Sequence, residues 1–197
     1  MKKVFILKCF ILIYFISSIF LNAQIKSEYK NAKLLKGNYK QIVYFNRNNK
    51  FFVSSGDFFI ASGYGICWIT KKPKESITVM GEKNISMILP NGEKKILSDS
   101  SNAIFSQIAN IIKSIFTYDE ISLKDYFIES EDENKNIIYI PKNYNLKDII
   151  NKIEASISEE GYIERIKIFN KKGHIEYIMK ILQIENEIGD NEKKYFE

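Results

Sequence analysis

The chain has 197 residues, 45% of them hydrophobic, and carries a formal net charge of +5. This length is sufficient for one domain with a buried core. Basic and acidic side chains are interleaved and do not form the basic stripe that a phosphate backbone requires, which excludes nucleic acid as a partner.

The N-terminal residues have the organisation of a secretory signal peptide. Two lysines precede an apolar run, Val4–Leu21, and Ala23 is the small residue after which such peptides are cleaved. We therefore predict a cleaved signal peptide at 1–23, a single mature domain at 24–197, and export to the periplasm. An uncleaved membrane anchor is the alternative, because the run approaches the roughly 18 apolar residues that span a bilayer, although Lys8 interrupts it.

Loss of this peptide changes two properties of the chain. The peptide contains three lysines and no acidic residue, so its removal lowers the formal net charge from +5 to +2. Cys67 becomes the only cysteine, so the mature domain has no internal disulfide and depends on its core for stability.

The mature domain begins with a helical pattern and continues with strands. In 24–36 apolar residues recur at helical spacing, and Gly37 follows at the usual position of a left-handed helix cap. From Tyr39 the period changes to two, and turn signals separate segments too closely spaced for intervening helices. These segments predict an antiparallel meander of six strands, at 39–45, 51–60, 66–71, 77–80, 85–89 and 94–97.

The pattern then switches to that of an amphipathic helix at 101–116, with Ser100 or Ser101 available as its N-cap. Its apolar stripe consists of Ile104, Phe105, Ile108, Ile111, Ile112, Ile115 and Phe116. A short helix at 119–126 and five further strands follow, at 126–130, 137–140, 153–157, 162–169 and 174–184. A sheet of about eleven strands must curl, and 101–116 is the only long helix available to cover its concave face. We therefore predict a mainly β fold with α-helix, of the α+β class.

Residues with catalytic or metal-binding chemistry do not form a recognisable site. His174 is the only histidine and follows a hairpin turn, whereas a catalytic triad or a zinc site needs more than one such group. Gly63-Tyr64-Gly65 lacks the spacing of a phosphate loop, and Cys67 has no histidine partner. We predict no catalytic residue, no metal and no cofactor, and hence a protein that is not an enzyme.

Several short motifs occur in a fixed order along the mature chain. They are Gly37 with Tyr39-x-Gln41, Gly56-Asp57-Phe58-Phe59-Ile60, Ile66-Cys67-Trp68 followed by Pro73, the Gly92 turn, the amphipathic helix, Ile140-Pro141 and the Gly173 hairpin. In order and spacing this series resembles the LolA family, the periplasmic carriers of outer-membrane lipoproteins, over nearly the whole mature chain.

The resemblance implies an incomplete antiparallel β-barrel of about eleven strands, closed by the helix as a lid over an apolar cavity. It also implies carriage of acylated cargo, a lipoprotein or a lipid, from an inner-membrane donor complex to an outer-membrane acceptor. We expect the carrier to be a monomer. Burial of one long acyl chain offers on the order of 10 kcal/mol gross, at roughly 0.8 kcal/mol per methylene.

Side-chain alternation predicts which residues line this cavity. If Trp68 faces the cavity, then Ile66 and Thr70 face it too, whereas Cys67 and Ile69 face away. The predicted lining is Tyr39, Val43, Phe58, Ile60, Ile66, Trp68, Ile77 and Val79. The alternatives are an ordinary core position for Trp68 and a helix that is packed permanently as core.

The chain departs from the family pattern in two places. One is the Asp-Gly that family members carry after the next strand, which is reduced here to Gly81-Glu82. The other is the turn after the Gly-x-Phe strand. Family members commonly carry Arg-Pro after the Gly-x-Phe strand, and the arginine is tied to lid opening and cargo release. Ser62 and Gly63 stand at the matching positions. A periplasmic module that senses lipid or interacts with a partner on the same fold, without shuttling cargo, is therefore the alternative function.

Overall fold

The computed structural model describes residues 25–45, 50–82, 84–99 and 103–197. These parts contain eleven strands and five helices, and none of the helices is long and apolar enough to cross a bilayer. The strands are β1 (Leu34–Phe45), β2 (Lys50–Ala61), β3 (Gly65–Lys72), β4 (Ser76–Gly81), β5 (Asn84–Ile88), β6 (Lys94–Asp99), β7 (Phe127–Glu131), β8 (Ile137–Pro141), β9 (Lys152–Ile157), β10 (Ile163–Asn170) and β11 (Gly173–Glu185). The helices are α1 (Ser27–Asn31), α2 (Ala103–Thr117), α3 (Glu120–Tyr126), α4 (Tyr144–Lys147) and α5 (Asp190–Lys193).

All eleven strands belong to one antiparallel sheet, in the order β6-β5-β4-β3-β2-β1-β11-β10-β9-β8-β7. The first strand therefore pairs with the last strand at the centre of the sheet. In the described part of the chain, β6 and β7 stand at the two edges and the sheet is not closed into a barrel. The predicted fold class, with six strands, a helix and five strands, is confirmed.

The predicted helix at 24–36 is wrong over most of its length. Helix α1 occupies only Ser27–Asn31, residue 24 lies outside the described residues, and the chain is already extended from Leu34. Gly37 lies inside β1, beside a shift in the β1–β11 register, where a Cβ atom would collide with the carbonyl oxygen of Lys180. Glycine is thus needed there for close approach of two strands, and pairing on both sides of β1 overrides the local helical pattern.

The sheet buries apolar side chains on both of its faces. The face that packs against α2, called the inner face here, carries the larger core cluster. The opposite face of β1–β4, called the outer face, carries a smaller cluster formed by Leu34, Phe59, Ala61, Cys67 and Val79. Because side chains alternate along a strand, neighbours in sequence are divided between the two clusters.

The C-terminal segment, 186–197, covers the outer face. Tyr195 and Phe196 pack on Phe59, with ring centroids 5.5 and 5.9 Å from that of Phe59. At the edge of this contact, Lys36 Nζ lies 2.9 Å from Glu192 Oε1, and this ammonium group lowers the pKa of the Glu192 carboxyl. Because the folded pKa is lowered, the ion pair supports the attachment at neutral pH and is lost as the pH falls through that pKa.

We expect Cys67 to react slowly with a water-soluble thiol reagent. Its exposed fraction is 0%, and burial raises the pKa of its thiol to about 12, so the reactive thiolate is scarce at neutral pH. In the purified protein, replacing both Tyr195 and Phe196 with alanine should speed labelling roughly tenfold, since opening of the outer face becomes easier. Phe51→Ala, which removes an exposed aromatic ring elsewhere, is the control. Equal labelling rates in all three proteins would contradict protection by the C-terminal segment.

Candidate functional site

Helix α2 packs its apolar stripe on the inner face. Ile111, Ile115 and Phe116 are each 1% exposed or less, and Ile112 is packed against the same cluster. The predicted helix at 101–116 is confirmed as Ala103–Thr117, with its proposed serine caps outside the described residues. The side chains of Ile104, Phe105 and Ile108 also lie outside the described set.

The C-terminal end of α2 is held by a buried hydrogen bond. The Tyr29 hydroxyl in α1 donates to the carbonyl oxygen of Phe116 at 2.5 Å. This carbonyl is one of those that a helix leaves without an intrahelical partner at its end. Immediately beyond, the Asp119 backbone N–H donates to the Ser114 carbonyl at 2.8 Å, and the Asp119 side chain accepts from Ser122 N to cap α3. The turn from α2 into α3 is therefore fixed from both sides.

Trp68 lies between the sheet and α2. Its ring meets Phe116 edge-on, with centroids 5.8 Å apart, and Tyr177 of β11 completes the group at 6.2 Å from Trp68 and 5.3 Å from Phe116. Edge-to-face pairs of this kind add about 0.5–1.5 kcal/mol to area burial. These three rings join the two halves of the sheet to the helix.

A cavity of about 160 Å³ opens beside Trp68. Its lining is Tyr39, Gln41, Trp68, Thr70, Thr78, Met80, Ile112 and Tyr177. Pockets for small ligands are typically about 300–1,000 Å³. The cavity beside Trp68 is therefore smaller than the usual range for a ligand pocket.

Most of the predicted lining lies on the inner face. Tyr39, Phe58, Ile60, Ile66 and Trp68 belong to the cluster beneath α2, and of these Tyr39 and Trp68 line the cavity. Cys67 and Ile69 belong to the outer-face cluster, as the alternation predicts. Val43 is half-buried further along β1, opposite Phe52, and is not part of either cluster.

The placement of Ile77 and Val79 in the cavity is wrong. The register pairs Trp68 with Thr78, so Thr78 shares the inner face and its two neighbours point outward. Ile77 and Val79 accordingly pack in the outer-face cluster, near the C-terminal aromatic residues. The apolar residues of β4 indicate only that the strand is buried. They do not indicate which side chains face inward, because a one-residue change in register turns every side chain to the opposite face.

A chain of neutral polar groups borders the cavity. The hydroxyl groups of Tyr39 and Thr70 lie 2.7 Å apart. Ser54 Oγ donates to Gln41 Oε1 at 3.0 Å, and Gln41 Nε2 donates to the Tyr177 hydroxyl at 2.7 Å. Burial raises the pKa of Tyr177 to about 12 and that of Tyr39 above its usual value, so both hydroxyls stay protonated at neutral pH.

Sequence reasoning missed Gln41, Thr78, Met80 and Tyr177 as lining residues. Gln41 follows Tyr39 by two positions, so its face could have been found from alternation. Tyr177 is 136 residues away from its partner Gln41 in the sequence, and no local signal pairs the two. In the described residues, no group of three or more His, Cys, Asp or Glu side chains is placed to hold a metal ion.

We expect Tyr29→Phe to lower the free energy of unfolding by about 1–2 kcal/mol, because the buried Phe116 carbonyl loses its donor. The ring and its packing are retained, so the change isolates the hydrogen bond. Chemical denaturation with fluorescence of Trp68, the only tryptophan, measures the effect. Tyr144→Phe, at a residue that is 77% exposed, is the matched control. Equal stability of the two variants would mean that the bond does not hold α2.

Comparisons with solved structures find similar chains at low sequence identity. Similar solved structures include a DUF1329 family protein from Desulfovibrio piger, at 12% identity and a TM-score of 0.46, with 88% of this chain and 97% of that chain covered. A domain from Vibrio parahaemolyticus named for outer membrane lipoprotein sorting matches at 12% identity and a TM-score of 0.44, covering 86% and 94%. A LolA superfamily protein from Nitrosomonas europaea matches at 8% identity and a TM-score of 0.40, covering 88% and 97%.

Among the curated proteins compared with this sequence, none matches it. The sequence model of the family described as outer membrane lipoprotein carrier protein LolA matches residues 30–192, which is more than four fifths of the chain. The chain therefore belongs to the LolA family.

Proposed function

We propose that the protein is a periplasmic carrier that binds the acyl chains of lipoproteins or lipids beneath α2 and moves them from the inner to the outer membrane. The observation that carries this proposal is the amphipathic helix α2, which packs on an apolar sheet face beside the small cavity at Trp68. Membership of the LolA family supports it. The signal peptide at 1–23, which lies outside the described residues, and the donor and acceptor in the two membranes remain predictions.

The magnitudes of the competing contacts suit reversible loading. Burial of Ile111, Ile115 and Phe116 stabilises the packing of α2 by roughly 5–9 kcal/mol, at about 1.5–3 kcal/mol for each large apolar side chain. A long acyl chain that replaces these side chains offers on the order of 10 kcal/mol by the same measure. The two terms nearly cancel, so cargo can displace the helix and the helix can later displace cargo.

The contact that holds the end of α2 differs from the arginine contact that the family pattern implies. Ser62 and Gly63 form the turn after β2 and line a surface depression together with Lys113 and Thr117 near the end of α2. This turn supplies no arginine. The hydrogen bond from Tyr29 to Phe116 holds the same end of the helix instead, and next to it Lys30 pairs with Glu120 of α3 at 2.6 Å.

We expect protein purified from the periplasm to carry acylated cargo, measured by native mass spectrometry, and to bind a fluorescent fatty-acyl probe. Ile112→Asp places a charge beside the cavity and should weaken probe binding at least tenfold, a change of about 1.4 kcal/mol or more. Asn110→Asp adds the same charge at an exposed position of the same helix and serves as the control.

The outcomes of that experiment separate the candidate functions. Protein that arrives without cargo and also fails to bind the probe would rule out an acyl carrier. Protein that arrives empty but binds the probe would favour the alternative, a module that senses lipid without shuttling it. The absence of arginine at Ser62 is the observation that favours this alternative, because regulated release has lost its usual residue.

A tether between α2 and the sheet tests whether the helix is a gate. Ile112→Cys and Thr78→Cys, joined by a short bifunctional maleimide in a Cys67→Ala background, should block probe uptake while the protein stays folded. The matched control joins Thr78→Cys to Met87→Cys, its partner in β5, which links two strands and leaves α2 free. Loading of both crosslinked proteins at the same rate would mean that α2 is a permanent part of the core.

A further inference from the structure

We infer that one end of the sheet docks on the surface of a bilayer that contains anionic phospholipids. This end, called the basic end here, consists of Phe45 and residues 50–52 in the β1–β2 hairpin, residues 142–152 from β8 to the start of β9, and residues 171–172 between β10 and β11. The inference goes beyond the proposed function, because it concerns a surface outside the cavity and holds whether or not acyl cargo is bound.

Strand pairing brings the three segments of the basic end together. Phe45, the last residue of β1, pairs with Gly173, the first residue of β11, so the β1–β2 and β10–β11 turns are neighbours. The third segment, 142–152, is joined to them by an ion pair, in which Lys171 Nζ lies 2.7 Å from Asp148 Oδ1. Segments that are distant in sequence therefore form one continuous surface.

Aromatic side chains are exposed on both faces of the β1–β2 hairpin. Alternation along the strands places Phe45 and Phe52 on the inner face, where they are 46% and 52% exposed, and Phe51 on the outer face, where it is 65% exposed. In the described part of the chain, residues 50–54 pair with β1 alone, because β3 pairs with β2 only from Ser55 onward. A partner that contacts one face would leave the rings of the other face in water. A lipid surface that surrounds the hairpin covers both faces.

The exposed ring on the outer face is supported by a row of packed rings. Phe51 packs on Tyr44, and Tyr44 packs on His174, with ring centroids 6.1 and 4.3 Å apart. Phe169 continues the row at 5.2 Å from His174, and Lys152 Nζ lies 4.7 Å from the centre of its ring. The row crosses four strands, so the ring of Phe51 is positioned before it meets a membrane. Docking then orders few side chains, which favours binding.

The charge of the basic end complements an anionic surface. Its segments contain one acidic residue, Asp148, and six lysines, which gives them a formal charge of +5. The lysines are Lys50, Lys142, Lys147, Lys152, Lys171 and Lys172. Residues 24–197 as a whole carry only +2, so the rest of the domain carries −3. This polarity turns the basic end toward anionic head groups, and aromatic rings are stable at the depth of those head groups.

The test measures binding of the purified protein to vesicles of phosphatidylethanolamine and phosphatidylglycerol by flotation. Replacing both Phe51 and Phe52 with serine should weaken binding at least tenfold, because the hairpin loses two of its exposed rings. The matched control replaces Ile121 and Leu182, two exposed aliphatic residues outside the basic end, with serine and should bind as the wild type does. The N-terminal apolar run, where it is retained, is common to all these proteins and does not affect the comparison.

The contribution of charge is measured in the same way. Replacing both Lys171 and Lys172 with glutamate should weaken binding at least tenfold, and the remaining binding should depend less on salt. Replacing Lys33 and Lys180, two exposed lysines outside the basic end, with glutamate makes the same change in net charge and is the control. An equal loss in the two variants would mean that only the net charge matters, and would overturn docking through the basic end.

A fluorescent label tests the orientation on the membrane. Phe52→Cys, in a protein with Cys9 and Cys67 replaced by alanine, is labelled with a dye whose emission depends on polarity. We expect its emission to shift to shorter wavelength when the anionic vesicles are added, and the same dye at Ile121→Cys to remain unchanged. Equal shifts at the two positions, or no binding of the wild-type protein to the vesicles, would overturn the inference. Neither result bears on acyl carriage, which is measured without vesicles.

Discussion

Strand β1 pairs with β2 on one side and with β11 on the other along its whole length, from Leu34 to Phe45. This double pairing joins the first and last strands and holds the two halves of the sheet together. It also brings Gln41 opposite both Ser54 and Tyr177, and the side chains of these two residues are its hydrogen-bond partners beside the cavity. A slip of one residue would turn every one of these side chains to the outer face. The glycine at 37, where the register shifts, is one of the positions at which this alignment is set.

The two faces of the sheet are covered by different parts of the chain. The outer face is covered by the end of the chain itself, through aromatic packing on Phe59 and the ion pair at Lys36. The inner face is covered by α2, which lies between β6 and α3 in the chain. A large apolar sheet face that is exposed to water promotes aggregation. The apolar side chains of α2 therefore keep water from the inner face.

Much of the fold was predictable because strand and helix periods are local. The alternation around Trp68 correctly grouped Phe58, Ile60 and Ile66 with it, and separated Cys67. Errors arose where the outcome depends on distant pairing. The face of Ile77 and Val79 is decided by the β3–β4 register, and the extension of β1 back to Leu34 is decided by its two neighbours. The C-terminal cover was missed because its few aromatic residues carry no periodic pattern of their own.

The closed cavity stays stable because its polar groups satisfy one another. Tyr39 pairs with Thr70, Ser54 with Gln41, and Gln41 with Tyr177, so each of these groups has a hydrogen-bond partner within the protein. If the protein carries acyl cargo as proposed, that cargo would gain mainly apolar burial here. Under the proposed function, modest affinity of this kind would be compatible with release of the lipid.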